Sequence, residues 1–370
     1  MVMRRILPFV LLWLFATSAS GASEAIIADH NAPAMFESIP AYWIGRAKAD
    51  FRISYGHTSH GSQIISGLNM INDRGDRGAD AKSCNDYYCE DCLHDHCDDR
   101  YYYRYGAGND PAGPGVLSLF DDYPSGDLGN PDRTSWADRT RTMLDDPHYS
   151  NRNVVMWSWC GQADTSENNV QLYLDLMNQL EIDYPHIVFV YMTGHLNGTG
   201  ETGNLFERNN QIRDFCRANG KVLFDFADIE SYDPDGNYFR DKNAEDDCDY
   251  YLGGTRYNWA DQWCAANPGE CPSCSSCAHS RCLNCYQKGK AFWWLMARVA
   301  GWNGCAAVEG DLTGDCRVDF ADYCVVASRW LDEGCNSKND WCAWADCAGS
   351  DGRVSIADLT IIIESWLGSD

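Results

Sequence analysis

Apolar residues along the chain recur in two alternating rhythms. Short runs rich in β-branched and aromatic side chains, Phe51–Tyr55, Asn153–Trp157, Ile187–Met192 and Lys221–Phe226, read as buried strands. Between them the spacing becomes helical. Ile64, Leu68 and Ile71 form a stripe just after the first run. Val170, Tyr173, Leu174, Met177 and Leu180 form another after the second, with Ser166 placed to cap it. Asn209 to Ala218 predicts a third helix, and Ala291, Leu295, Met296 and Val299 mark a last one. Strand–helix alternation of this kind predicts an α/β fold with a parallel sheet covered on both faces. Ligands of such sheets lie beyond the carboxyl ends of the strands. The loops after Tyr55, Trp157, Met192 and Phe226 are therefore where chemistry is expected.

Composition narrows the class. The chain has 370 residues, a formal charge of −25, 45% hydrophobic and 13% aromatic residues, and 19 cysteines. The aromatic and hydrophobic content excludes a disordered chain. The negative charge argues against phosphate-backbone binding and against docking on anionic lipid. Met1 to Ala22 has the parts of a signal peptide: Arg4 and Arg5, the apolar run Ile6 to Ala16, then Ser20-Gly21-Ala22. The run is shorter than the ~20 residues of a membrane span. A secreted protein with cysteines maturing in an oxidising compartment is expected. Residues 304–370 carry 13 acids and 4 bases and follow Gly301-Trp302-Asn303-Gly304, which places a boundary between a body, 23–303, and an acidic tail, 304–370.

The loops carry candidate chemistry. After the first strand comes Gly56-His57-Thr58-Ser59-His60-Gly61. A serine in a tight strand-to-helix turn can expose its hydroxyl above a helix N-terminus, whose free N–H groups favour an oxyanion; a serine there can also simply cap the helix. The second strand ends in Ser158-Trp159-Cys160-Gly161-Gln162-Ala163-Asp164, where a carboxamide beside a glycine could donate to an oxyanion. The third ends in Thr193-Gly194-His195-Leu196-Asn197-Gly198. His279, in a short loop before the last helix, is a candidate base, with His57, His60 and His195 as competitors. Gly161, Asp164, His195 and Asn197, with His57 and His60, are the candidate substrate contacts.

Three blocks resemble those of a known family. The strand followed by Gly56-His57-Thr58-Ser59 resembles the first block of SGNH/GDSL-type hydrolases in a variant where Gly-Asp-Ser becomes His-x-Ser. Val154 to Trp157 with Gly161-Gln162 resembles the block that carries Gly-x-Asn-Asp, and His279 to Trp302 is similar to the final histidine helix. The resemblance spans residues 50 to 302. It implies a three-layer αβα, flavodoxin-like parallel sheet, with Ser59 as nucleophile, His279 as general base and Gln162 in place of the oxyanion asparagine. The family's aspartate three residues before the histidine is Ser276 here, leaving Asp225 and Asp228 as candidates to orient the base. Gly106 and Gly108 are candidates for the oxyanion glycine.

Two cysteine clusters stand out. Cys84, Cys89, Cys92 and Cys97 lie beside His94 and His96; Cys264, Cys271, Cys274, Cys277, Cys282 and Cys285 surround His279. CxxC pairs can bind zinc, while in an exported chain disulfides are the stronger reading. In the tail, Asp311, Thr313, Asp315, Asp319 and Asp322 occupy loop positions 1, 3, 5, 9 and 12, with the Arg317 carbonyl at position 7, an EF-hand-like spacing for a hard cation. A second copy carries Asp351, Ser355 and Asp358, with Cys347 at its first position. Two such loop–helix repeats resemble a type I dockerin, which implies a small all-α module that binds Ca2+ and a cohesin-type scaffold as partner. Together these features predict a secreted serine esterase deacylating a carbohydrate. The competing expectations are a non-catalytic carbohydrate-binding or adhesion protein on the same fold, and a metal-dependent hydrolase using His57, His60 and His195.

Overall fold

The computed structural model describes residues 24–73, 103–105, 117–305, 308–336, 339–349 and 351–367. The first cysteine cluster with His94 and His96, Gly106, Gly108 and the predicted signal segment lie outside them.

Seven strands, β1 (Ile26–Ala28), β2 (Arg52–Gly56), β3 (Tyr103–Tyr105), β4 (Leu117–Asp121), β5 (Val154–Trp157), β6 (Val188–Met192) and β7 (Val222–Phe224), form one sheet. Its order is β1-β7-β6-β5-β2-β4-β3, and every pairing is parallel. Val154, Val155, Met156 and Trp157 are all buried, as are Ile53 and Tyr55, because both faces of the sheet are covered. One face is packed by α1 (Ala41–Asp50), α2 (Ser62–Asp73) and later α8 (Cys282–Ala300). The other carries α3 (Ser135–Asp145), α4 (Glu167–Asp183) and α5 (Asn204–Ala218). The fold is thus α/β in three layers.

All four predicted strands are present, with shifted ends. The last stops at Phe224, because Asp225 caps the short α6 (Phe226–Ile229) by accepting the Asp228 N–H. Ser166 caps α4 as expected, its Oγ accepting the Asn169 N–H at 3.3 Å. An antiparallel hairpin, β8 (Asp249–Leu252) with β9 (Thr255–Asn258), and α7 (Trp259–Ala266) follow α6 and pack on a small core of Leu196, Phe239, Tyr250, Trp259 and Leu283.

Strand order decides where a site can form. From β2 the chain moves outward to β4, and from β5 it moves the opposite way to β6 and β7. β2 and β5 are neighbours in register, Gly56 beside Trp157, so the order reverses between them. That switch point is where open α/β sheets leave a crevice beyond the strand ends.

The tail holds its own apolar cluster, with Leu312, Val318, Val326, Ala345, Val354 and Ile362 between helices Phe320–Ser328 and Ile356–Leu367. It meets the body at α1, where Trp43 Nε1 donates to the Gly314 carbonyl at 3.1 Å. Among the described residues, no helix is long and apolar enough to cross a membrane.

Candidate active site

Three residues past the ends of β2, β5 and β6 stand Ser59, Cys160 and His195. Equal distance past neighbouring parallel strands brings these positions to one level at the switch point. His279 arrives from a different part of the chain. Its loop is stapled to the first turn of α8 by Cys274–Cys282 and Cys277–Cys285, beside Cys264–Cys271. The second cluster is therefore a disulfide framework. His279 itself has φ +57°, a left-handed conformation that non-glycine residues adopt uncommonly. Its Nε2 lies 3.0 Å from Ser59 Oγ.

A buried polar network holds the loops at this distance. Lys288, on α8 and fully buried, pairs with Glu230 Oε1 at 2.6 Å and bonds the Gln63 side-chain carbonyl. Gln63, on α2, donates through Nε2 to the Ala278 carbonyl at 2.6 Å, next to His279. Glu230 Oε2 accepts the Leu196 N–H at 2.8 Å, next to His195. A buried ion pair holds when its remaining donors and acceptors are satisfied, and here each satisfied group anchors a different loop of the site. Helices α2 and α8 can share this network because they touch at Gly67 and Gly289. A methyl on Gly289 would come within 2.5 Å of the Gly67 carbonyl carbon.

Imidazoles form a column beyond the strand ends. His195 stacks on His60 with centroids 3.8 Å apart, and His60 on His279 at 4.5 Å. Asp246 anchors the column, its Oδ2 2.8 Å from His60 Nε2 and 3.8 Å from His195 Nδ1. Burial opposes a charge on His60, but bonds to Asp246 and Cys160 outweigh it and raise its pKa. Burial, with the charge of His60, lowers the pKa of His195. Burial opposes ionisation of Asp246, yet the histidines hold its carboxyl below the usual range.

Sequence reasoning did not single out Asp246. It sits in the acidic run Glu245-Asp246-Asp247 ahead of β8, and nothing in that run marks one carboxylate from its neighbours. Asp225 and Asp228 are committed elsewhere. Asp225 takes two bonds from the Arg213 guanidinium and one from Thr193, and Asp228 holds His30 Nδ1 at 2.6 Å. Neither orients His279; the expectation that one of them would is corrected.

The remaining predicted positions divide between cleft and scaffold. Gly161, Asp164, His195 and Asn197 line one cleft with Cys160, Ala163, Gly194 and Leu205. Asp164 accepts from Asn197 at 3.0 Å and from Asn204 at 2.7 Å, so the two polar positions hold each other. A side chain at Gly161 would meet nothing within 4 Å, so packing does not require glycine there. His57 lies apart. Its Nε2 bonds Asp121 at 2.7 Å and its Nδ1 the Thr58 carbonyl at 2.8 Å, so both ring nitrogens secure the turn. Gln162 accepts the Cys160 N–H through Oε1 at 3.1 Å, and its Nε2 lies 3.3 Å from Asp127. An oxyanion role would require the carboxamide to exchange that partner.

Two clusters among the described residues bring metal-binding atoms together: His60, His195 and Asp246, and Asp29, His30 and Asp228. In the first, the two imidazole planes are parallel within 3° at 3.8 Å. An imidazole lone pair lies in its ring plane, so two such stacked planes do not meet at one ion. His57, engaged with Asp121, does not join them.

In the tail, Asp311 accepts the N–H groups of Gly314, Asp315 and Cys316, and Asp322 those of Thr313 and Asp319. Asp315 accepts from Arg317 N–H, and Asp319 from Ala321 N–H. In the second loop Asp358 accepts from Cys347, Ala348 and Ser355, and Asp351 from Arg353. The carboxylate facing Asp358 is Asp346, which accepts from Asp351 and Gly352 and which the sequence spacing missed by one residue. Burial and the neighbouring charge of Asp322 raise the Asp311 carboxyl above its ordinary range, although loop N–H groups oppose this. Asp311 and Asp322 are buried together, and among the described residues neither forms an ion pair with a basic side chain. Buried oxygen donors with excess negative charge fit a hard cation.

No known protein family, curated protein or solved structure matches the chain.

Proposed function

We propose that this chain is an exported serine esterase that deacylates a carbohydrate ester. The observation that carries the reading is the 3.0 Å contact between Ser59 Oγ and His279 Nε2 at the sheet's switch point. A hydroxyl within hydrogen-bond reach of an imidazole can be deprotonated as it attacks. In this reading Ser59 attacks the ester carbonyl and His279 takes its proton. His279 then returns the proton to the leaving alcohol, and water, activated the same way, releases the acid. The Ser59 N–H at the start of the α2 turn and the Gln162 carboxamide would serve the oxyanion. The core strand order β4-β2-β5-β6-β7, that of flavodoxin-like sheets, supports the SGNH resemblance. Five disulfides among the described residues support an extracellular setting.

The tail is read as a dockerin-like module. Asp311, Thr313, Asp315, Arg317 through its carbonyl, Asp319 and Asp322 would hold one calcium ion, and Asp346, Asp351, Ser355 and Asp358 would serve a second. Bound calcium would neutralise the buried carboxylates and stiffen the loops for a cohesin-type scaffold.

Turnover of a chromogenic acetyl ester by the full chain tests the catalytic reading. Ser59→Ala and His279→Gln should each lower kcat by about a thousandfold while the melting temperature holds. Wild-type rates in Ser59→Ala reject it. Retention on a polysaccharide gel by a wild-type chain that shows no turnover would favour the binding-protein alternative.

A further inference from the structure

Cys160 is left unexplained by the serine mechanism. It is free and half-buried, and it lines the cleft. Its Sγ lies 3.2 Å from His60 Nδ1, and the opposite nitrogen of the same ring lies 2.8 Å from Asp246 Oδ2. With its Nε2–H directed at Asp246, a neutral His60 presents the Nδ1 lone pair to the thiol. Nucleophile, base and orienting carboxylate thus stand in line, each within hydrogen-bond reach of the next. The ring of the base is clamped between those of His195 and His279.

We propose that Cys160 is a second nucleophile of this cleft, activated by His60 and Asp246, and that it accepts short acyl groups from esters. The geometry supplies the parts that convergent thiol hydrolases need: a base on the thiol and a carboxylate fixing the tautomer of that base. Burial opposes ionisation of Cys160, but bonds to His60, Ser59 and Thr58 and the charge of His60 outweigh it and lower its pKa. Burial pushes the thiols of Cys248 and Cys347 up to about 12, and that of Cys216 upward as well. The contrast is local: among the described residues, no imidazole bonds the thiol of Cys216, Cys248 or Cys347.

The cleft beside Sγ is small, ≈ 150 Å³, and Gly161, Ala163, Gly194 and Leu205 give it short walls. That volume suits an acetyl or similarly short acyl group. His60 takes the thiol proton, and the Cys160 thiolate adds to the carbonyl carbon. The C–O bond to the alcohol then breaks, the alcohol leaving with the proton held by His60. The resulting Cys160 thioester is hydrolysed by water, which gives a proton to His60 and its oxygen to the acyl carbon. Acid departs, and the thiol is restored.

Ser59 Oγ is 3.8 Å from Cys160 Sγ, so one bound ester is within reach of either nucleophile. The proposal does not depend on the role given to Ser59, and two measurements on the full chain keep them apart. First, wild-type protein is treated with limiting iodoacetamide at pH 6.5 and its peptides are mapped by mass spectrometry. Cys160 should be alkylated about tenfold faster than the exposed Cys324, and His60→Gln or Asp246→Asn should remove that excess. Second, Ser59→Ala is given p-nitrophenyl acetate and quenched in acid. One acetyl group should appear on the Cys160 peptide and be lost in the Ser59→Ala/Cys160→Ala double variant. Alkylation of Cys160 no faster than Cys324, or no acetylation of Cys160, overturns the proposal. Residual turnover of about a thousandth in Ser59→Ala with Cys160 acetylated supports both assignments, whereas an acetylated Cys160 that never turns over overturns hydrolysis through the thioester.

Discussion

At the scale of single residues, the molecule uses histidines in three different ways. His279 is exposed and faces Ser59, His60 sits between a thiol and a carboxylate, and His57 and His30 are tied to the scaffold. Residue type alone cannot separate these roles, because the distinguishing partners Asp246, Asp121 and Asp228 lie 186, 64 and 198 residues away in sequence. The His30–Asp228 pair links the end of β1 to α6 and has a definite pH signature. Burial opposes charging of His30, but the bond to Asp228 outweighs it and raises the histidine above its unfolded value of 6.5. Burial likewise opposes ionisation of Asp228, and His30 lowers it below 3.8. The histidine contribution is complete below about pH 6.5 and fades as pH rises through the raised value. The aspartate contribution is complete above about pH 4 and fades as pH falls through the lowered one. The melting-temperature deficit of His30→Gln should therefore be largest between about pH 5 and 6 and shrink towards pH 9. A deficit independent of pH would show that the stacking of His30 on Tyr232, 3.7 Å between centroids, matters instead.

At the scale of elements, α8 shows what hydrophobic patterning reads and what it misses. Its second half was legible from Ala291, Leu295, Met296 and Val299, but the helix begins at Cys282. The first half hides because Asn284, Gln287 and Lys288 are buried polar residues, which interrupt an apolar stripe while facing the interior. β1, only three residues long, is too short for any period to show, and β4, Leu-Ser-Leu-Phe-Asp, lacks β-branched residues. The Gly67–Gly289 contact tests whether α2 and α8 act as one unit carrying both halves of the site. Gly289→Ala should cost about 1–3 kcal/mol, because the opposing surface is backbone and cannot rotate away. If denaturant midpoints of Gly289→Ala and wild type coincide, the two helices do not need that approach.

At the scale of the whole molecule, the −25 charge resolves into separate jobs. Asp246, Glu230 and Asp225 are buried or half-buried partners of histidine, lysine and arginine in the body; Asp311, Asp322, Asp346 and Asp358 are buried in the tail. If the tail loops hold calcium, millimolar Ca2+ should raise the melting temperature of the full chain, and Asp311→Ala with Asp346→Ala should abolish the rise. An equal rise in that double variant would place the ion elsewhere. The strand–helix alternation determined the α/β class and pointed to the loops after β2, β5, β6 and β7, since burial on both faces of a parallel sheet forces long apolar runs into the sequence itself. The resemblance to SGNH/GDSL-type hydrolases, not the periodicity, implied Ser59 and His279 as partners. Tertiary structure alone decided that Asp246 reaches the histidine column, that Cys160 stands beside His60, and that Lys288, through Gln63 and Glu230, joins the loops of His279 and His195. Those choices rest on which strands are neighbours and how closely two helices approach, and such long-range geometry leaves no period in the chain.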